Sequence, residues 1–510
     1  MQKKIALKGL AGLVSAAIAV ALSVSAVPAS AAPTKSLTIA NSAGMQSWDT
    51  TEADTGLLIQ YYQPVFDSLI RQKPDGSFAP FLATKFTYND EMTQLTLKLR
   101  TDVKFTDGTK FNATVAKANL DHQLAGHGPN SGRVGAIDSV VAKDSSTLVI
   151  NLKTQDPGLL DVLSTSVGMM ASPTSLKSAT LKTKPVGSGP YILDLSKSVA
   201  GSTYVYKLNP NYWNKPIQKF KSITIKTMTD MVPRMNALKS GQVQGAPLDI
   251  GQLAEAKTVK GLKLQTKMDD FGGIQLIDRD GKVVKALGDL RVRQAINYAM
   301  DQKSLIAAFR PNGTGQESNQ IFSKSGKAYV ASLDKAYSYD LAKAKSLMAA
   351  AGYADGFTVT VPDMSGNFGA DLYAAVIEML GAIKIKVNLE KGLAFPDMIG
   401  NIMGGKYGML IAGGPINSDW FQAANFYGPG FFNPLHSSDP KIDAYLNVIA
   451  STDGAAQAAA YKALNRYVVS QAWFALFFRD SSLYANTSAI KVQVQYANIV
   501  PFIYNYSPVK

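Results

Sequence analysis

The sequence predicts a multidomain protein of the α/β class, and three observations carry that expectation. At 510 residues the chain is longer than one hydrophobic core ordinarily supports, so two or three domains are expected. Its composition, 46% hydrophobic and 18% charged, is that of a globular chain without a low-complexity tract. Phe357–Val361 and Ile383–Leu389 read as strands on either side of a helix over Asp371–Leu380, the alternation that covers a sheet with helices.

The N-terminus reads as a separate element. Met1–Lys8 carries Lys3, Lys4 and Lys8, Gly9–Val27 is apolar apart from Ser15, Ser23 and Ser25, and Ala29-Ser30-Ala31 supplies small residues for cleavage. An export signal over residues 1–31, cut after Ala31, is the expectation. The 19 residues of the apolar run could also span a bilayer as an uncleaved anchor, but the Ala and Ser content and the cleavage box favour removal. No later stretch reaches spanning length, so a soluble mature chain is expected.

The chain contains no cysteine, which excludes disulfides, a thiolate metal site, a cysteine nucleophile and a lipid anchor on an N-terminal cysteine. Its net charge is +14, of which Lys3, Lys4 and Lys8 contribute three, leaving +11 and a loose attraction to anionic envelope surfaces. The lysines are scattered and no nucleic-acid module is present, so no nucleic-acid partner is expected.

Along the mature chain, Ser36–Ala40 alternates like a strand and runs into the turn-forming Asn41–Gly44. Thr55–Leu69 has helical spacing, with Pro64 predicting a kink or break. Leu95–Leu99 alternates as a strand, and Asp107-Gly108 provides hairpin chemistry between two short strands in Val103–Phe111. Val292, Ile296, Ala299, Met300 and Ile306 recur at helical spacing within Arg291–Phe309, so one face is expected to be buried while Arg291, Arg293, Asn297 and Gln302 point elsewhere, the arginines forming a solvated face rather than an anion grip. Asp340–Ala350 reads as a helix capped by its first acid and closed by Gly352.

Several of these segments resemble one family. The run from Leu82-Ala83 through L-T-L-K-L-R-T-D-V-K-F-T-D-G-T-K-F-N-A to Ala118 is similar to the signature of the family 5 extracellular solute-binding proteins, the peptide/nickel group that delivers ligands to ABC importers. Pro185–Tyr191 is similar to that family's P-V-G-T-G-P-Y, Asn209–Trp213 to its N-P-x-Y-W, Asp289–Leu305 to its most recognisable helix, and Ala344–Tyr353 to its A-K-x-L-x-x-x-A-G-Y. The resemblance implies a two-lobed periplasmic-binding-protein (Venus-flytrap) fold with an extra α/β subdomain. Lobe I would comprise residues 32–74, 186–270 and 486–510, the extra subdomain 75–185, and lobe II 271–485. The chain would cross between lobes at Leu264–Phe271 and Arg479–Tyr484. It further implies an exported monomer without a cofactor, in the periplasm or on the outer face of the envelope. Such a monomer would take a small-molecule or peptide ligand into an interlobe cleft and pass it to a permease and ATPase.

An enzyme reading finds little support. There is no G-x-S-x-G elbow, no phosphate-binding G-x-x-x-x-G-K-[ST] loop and no H-E-x-x-H pair. His122 and His127 lie five apart and could share a metal, although surface histidines are the commoner case, and no metal is expected. Paired carboxylates assembled by the fold leave a secreted hydrolase as a remote alternative.

The stretch that the chain is expected to present is Gly413–Pro434. It gathers Trp420, Phe421, Phe426, Tyr427, Phe431 and Phe432 around Asp419, and its glycines and prolines predict a loop or strand edge rather than a helix. One carboxylate among ring faces suits a cationic group on a largely apolar ligand. A core corner with inward-packed rings and Asp419 capping a helix is the other reading. The resemblance sets Asp419 at the position where the family's peptide binders hold the ligand's α-ammonium, with Asn417, Trp420 and Phe421 around it. Ile416 and Gln422-Ala423 depart from the family's usual Trp and Asp-Pro. Asn41, Met45 and Trp48 lie where the family lines its cleft. An oligopeptide or dipeptide is the expected ligand, with an oligosaccharide, an opine-like solute or a metal chelate as alternatives.

Overall fold

The computed structural model describes residues 35–509 apart from 54–55, 129, 416 and 429–431. The expected export signal, residues 1–31, lies outside the described residues.

Among the described residues, nine strands form the largest sheet. From one edge its order is Met409–Pro415, Leu262–Leu276, Phe474–Thr487, Gly245–Leu248, Ser36–Asn41, Ser222–Thr227, Thr203–Leu208 and Tyr191–Leu193, with Gly315–Gln316 added against Phe474–Thr487. Ser36–Asn41 pairs in parallel with both of its neighbours, whereas the two long strands, Leu262–Leu276 and Phe474–Thr487, are antiparallel. That long ladder shifts register between Lys267 and Asp270 and again between Gly272 and Gly273.

A separate four-stranded antiparallel sheet, ordered Ala83–Tyr88, Gln94–Leu99, Thr147–Leu152 and Ile137–Asp144, carries its own core of Leu95, Leu97, Leu120, Leu148 and Ile150. The helix Ala113–Ala125 covers it, started by Asn112, whose side chain accepts from the Val115 amide at 3.0 Å. Another core, built on Leu37, Ile39, Tyr61, Phe66 and Tyr206, underlies the parallel part of the large sheet. Two more flank its other end, one around Val292, Ile296, Val359 and Val376, the other around Phe271, Phe426, Tyr461 and Phe474. The expected strand–helix–strand unit is present. Phe357–Pro362 and Ile385–Glu390 pair in parallel across the helix Ala370–Ala382. The helix Leu341–Ala350 is capped as expected, Asp340 accepting from the Lys343 amide at 2.9 Å.

Three local expectations are corrected. Among the described residues of Thr55–Leu69, only Ile59–Tyr62 is helical. The carbonyls of Pro64 and Val65 instead accept from Tyr191 and Gly189, each at 2.8 Å, so the next turn is drawn out toward another segment. Val103–Phe111 makes a single bridge, Lys104 to Lys110, around the Asp107-Gly108 turn rather than two strands. Arg291–Phe309 is two helices, Leu290–Ala299 and Gln302–Phe309, because Asp301 caps a new start by accepting from Ser304 N at 3.1 Å. Nor is its polar face solvated. Arg293 is buried and donates to the carbonyls of Leu287 at 2.8 Å and Gln471 at 3.1 Å, and buried Gln302 donates to those of Ser318 and Leu476. Arg291 does stay exposed, paired with Asp289 at 2.6 Å.

Two of the sequence motifs meet on one buried acid. Asp67 is fully buried, and it accepts from Tyr212 Oη at 2.8 Å, Trp213 Nε1 at 2.9 Å and Ser188 Oγ at 3.0 Å. Ser188 belongs to the P-V-G-S-G-P-Y run and Tyr212-Trp213 to the N-P-N-Y-W run. The glycines beside Ser188 are required by close packing, since a Cβ on Gly187 would fall 2.1 Å from the Val65 carbonyl oxygen and one on Gly189 2.5 Å from it. Burial pushes Asp67 up to about 7 in spite of its donors.

Because the folded protein holds the Asp67 proton more tightly than the unfolded chain, Asp67 contributes stability that is lost as pH rises from about 4 to about 7, and the difference between wild type and Asp67→Asn should show that loss. Asp67→Ala strands three buried donors and should cost on the order of 3 kcal/mol in urea unfolding.

Candidate functional site

The stretch Gly413–Pro434 is not one loop. Its first part, through Pro415, finishes the edge strand Met409–Pro415, and Asp419–Phe426 is an α-helix of eight residues. The expectation that no helix forms there is corrected. The breakers sit outside the helix, at Gly413, Gly414 and Pro415 before it and Gly428 after it, and Ser418 caps its start by accepting from Phe421 N at 3.4 Å.

The helix sorts its rings. Phe426 stacks on Phe432 with centroids 4.3 Å apart and meets Phe474 edge-on at 5.6 Å, while Tyr427 packs against Trp473 at 5.7 Å. These rings are core, as the inward-packing reading holds. Asp419, Trp420 and Phe421, in the first turn, face other segments.

Asp419 is buried, and its Oδ2 accepts from the amide of Ala328 at 3.1 Å. Its Oδ1 is buried without a hydrogen-bond partner. Burial pushes the carboxyl up to about 6, against the opposing pull of the Ala328 and Lys327 amides and the Lys327 ammonium. A carboxylate so placed is under-coordinated and is stabilised by any cationic donor that reaches it.

Trp420 bridges to the core of the four-stranded sheet. Its indole lies on Gly158, where a Cβ would fall 2.5 Å from Cδ1, and it donates to Asp156, which also accepts from Gly158 N at 2.9 Å. Beside it, the Arg133 guanidinium lies 5.9 Å from the centre of the Phe421 ring and pairs with Asp161 at 3.1 Å. Gln72 donates to the other Asp161 oxygen at 2.9 Å and is itself held by Gln495, linking a third segment. Lys267, on the long strand beside its first register shift, donates to the Gln495 carbonyl at 2.6 Å and lies 5.5 Å from the Tyr496 ring. Tyr461 sits in the field of both Asp419 and Asp156, which with its burial raises its hydroxyl well above the usual range. Chain segments distant in sequence therefore converge on the first turn of one helix.

The other expected residues lie elsewhere. Asn41 is fully buried, donating to Leu57 O at 2.8 Å and Gln60 Oε1 at 3.1 Å and accepting from Ala43 N at 2.9 Å. Met45 and Trp48 are buried in the Leu37 core, where Trp48 meets Tyr62 and Tyr204 edge-on. Asn417 is half-buried just before the cap. The structure thus brings Asn417, Trp420 and Phe421 to Asp419 and packs Asn41, Met45 and Trp48 into a different core. Asp156, Gly158, Arg133, Asp161, Gly326 and Tyr461 carried no sequence signal beyond the turn-forming Asp156-Pro157-Gly158. His122 is paired with Asp49 at 2.9 Å.

Residues 77–435 match the model of the bacterial extracellular solute-binding proteins, family 5, middle region. The chain belongs to that family. The glutathione-binding protein GsiB of Shigella flexneri is 27% identical over 89% of this chain and 90% of its own. In fold the chain is similar to HbpA2 from Haemophilus parasuis, with a TM-score of 0.80 at 19% identity over 93% of this chain and 100% of that one. It is also similar to the ABC transporter-associated periplasmic binding protein DppA from Helicobacter pylori in complex with the peptide STSA, with a TM-score of 0.74 at 20% identity over 93% and 98%. The fold is accordingly the two-lobed α/β fold of periplasmic binding proteins. The protein is the substrate-binding component of an ABC importer, working with a membrane permease and its ATPase. Its relatives are transport proteins rather than enzymes, family members act outside the cytoplasmic membrane, and among the described residues no helix is long and apolar enough to cross a membrane.

The contact between Trp420 and Gly158 is expected to give way to one methyl group. Gly158→Ala should displace the indole and cost about 1–3 kcal/mol of stability. Acrylamide quenching of tryptophan emission should rise, and the rise should vanish in a Trp420→Phe background.

Proposed function

We propose that the protein captures peptides with a free amino terminus and delivers them to its importer, with the ligand's ammonium held by Asp419. The observation that carries this reading is the buried Asp419 Oδ1 without a hydrogen-bond partner. An ammonium supplies the missing donor and the missing charge together, whereas a neutral sugar hydroxyl supplies only the donor. The glutathione- and peptide-binding relatives lend support to a peptide ligand. Stacking of a sugar on free rings finds less support, because Trp420 rests on Gly158, Phe421 lies against Arg133 and the remaining described rings pack into the core.

In this reading the lobes are 32–74 with 186–270 and 486–510, and 271–485, with 75–185 as the extra subdomain. The crossings are Leu264–Phe271 and Arg479–Tyr484. Separate cores on the two ends of the long ladder, and the register shifts between them, support a hinge there. Trp420 and Phe421 then close lobe II onto the extra subdomain. The protein binds its ligand without altering it. Its leader is removed after Ala31, and mass spectrometry of the secreted chain should give a terminus at Ala32.

The decisive measurement is calorimetric titration with short peptides, free and N-acetylated. Asp419→Ala should lower affinity for free peptides by about 30-fold to several thousand-fold, the cost of leaving a buried ammonium without its partner. Equal wild-type affinity for both peptide sets would remove the ammonium from the argument. Because ligand binding needs the ionised carboxylate, wild-type affinity should drop about tenfold for each pH unit below about 6, and Asp419→Asn should flatten that profile. Without ligand the sign reverses. The raised value means that Asp419 contributes stability that is lost as pH rises from about 4 to about 6, and the Asn variant should lack this contribution.

A further inference from the structure

We infer that Gly326 is a positioning residue that sets where the Asp419 carboxylate stands, and so determines the site's selectivity for a cationic ligand group; this rests on the ammonium-binding reading above. A Cβ on Gly326 would fall 2.2 Å from Asp419 Oδ1 and 2.7 Å from Oδ2. The carboxylate occupies the place of a side chain. Gly326 has no left-handed backbone angle, so what the position demands of glycine is space and not conformation.

Whether an added methyl moves the loop or the acid depends on which is held more firmly. The loop is tied on both sides. Before Gly326, its own amide donates to Ser323 O at 3.0 Å, and the hydroxyls of Ser323 and Ser325 are 2.9 Å apart. After it, Ala328 donates to Asp419 and accepts from Asn465 Nδ2 at 2.8 Å. Asn465 is fully buried and also donates to Gln320 Oε1 at 2.7 Å, which accepts the Val330 amide at 3.1 Å as well. Gln320 Nε2 in turn donates to Val330 O and to Asp334 Oδ1, at 2.8 and 2.7 Å. Arg479, fully buried on the long strand, anchors the same network through Ser318 Oγ at 3.1 Å and Gln320 O at 2.9 Å. Moving this loop breaks several buried hydrogen bonds at once, whereas moving the carboxylate gives up only its contacts with the Ala328 and Lys327 amides and turns two side-chain torsions. The acid yields first.

The loop is therefore the fixed wall of the cation site and Asp419 the movable part. Gly326→Ala should turn the carboxylate away from the place that a ligand's ammonium occupies, while the fold and the remainder of the ligand site persist.

The test is a double-mutant cycle with Gly326→Ala and Asp419→Ala, titrated with tripeptides that are free or N-acetylated, with thermal melts alongside. Gly326→Ala should lower affinity for free tripeptides by about tenfold or more, as expected for a misplaced charged partner, and leave N-acetylated ones unchanged. In the Asp419→Ala background the same methyl should change neither binding nor melting temperature, since its obstacle is gone. Gly381→Ala, at a helical position with open space, serves as a control that leaves binding unchanged and shows the small rise in melting temperature expected of a helical Gly→Ala change without coupling to residue 419. If Gly326→Ala does not fold, recovery of folding in the double variant supports the steric conflict and failure of the double variant overturns it. Wild-type discrimination between free and acetylated peptides that survives Gly326→Ala undiminished overturns the positioning role while leaving the ammonium reading intact. Absence of discrimination in the wild type defeats the ammonium reading instead, and melting-temperature coupling between residues 326 and 419 then decides the positioning role by itself.

Discussion

The pairing of Leu262–Leu276 with Phe474–Thr487 is the interaction on which the other parts depend. One end of this ladder lies against the core of Leu483, Ala485, Met235 and Leu238, and the other against Ile274, Leu276, Ala475 and Phe478. An uninterrupted ladder would be a stiff ribbon, but the register slips twice near its middle, leaving backbone unpaired between Lys267 and Asp270. Arg310 and Asp480, paired at 2.8 Å, sit beside that interruption. The strands therefore run continuously between the two cores, with the register shifts in the stretch that separates them.

Two buried acids show how the same residue type stands in different surroundings. Asp67 and Asp419 are both raised by burial. Asp67 has three side-chain donors around it, so its oxygens are partnered within the fold although burial still holds its proton. Asp419 has one described hydrogen bond and an oxygen left over. An unanswered buried polar group costs about 1–3 kcal/mol, more when charged, and a fold retains such a cost where a ligand removes it. The difference between the two acids is thus a difference in donor count, which residue identity does not encode.

The first turn of the Asp419 helix also joins two cores by geometry. Asp419, Trp420 and Phe421 occupy one helical turn, so they move as a unit. The first faces the Gly326–Ala328 loop of its own core and the next two reach Gly158 and Arg133 on the core of the four-stranded sheet. On the proposed ammonium-binding reading, a cationic group that holds the first residue holds the turn that carries the other two.

What the sequence determined by itself was local or repetitive. The strand–helix–strand unit of Phe357–Glu390, the capped helix after Asp340 and the family motifs could be read because each depends on side-chain period, a capping residue or a short run. The helix break at Asp301 and the helix at Asp419–Phe426 were missed although their caps are local, since Asp301 lies inside an apolar period and the glycines of Gly413–Pro434 masked Ser418. What only the tertiary structure decided is which distant groups meet. Arg293 reads as a solvated cation but lies buried on carbonyls of Leu287 and Gln471, and Trp48 reads as a cleft ring but packs among tyrosines. The partners of the Asp419 turn come from positions 133, 156, 158 and 326, with no periodicity to connect them. Local chemistry acts over one turn of helix or one pleat of strand, whereas a binding site is made of groups brought together by core packing. For that reason the sequence could name the acid, and only the fold could show which of its oxygens had been left without a partner.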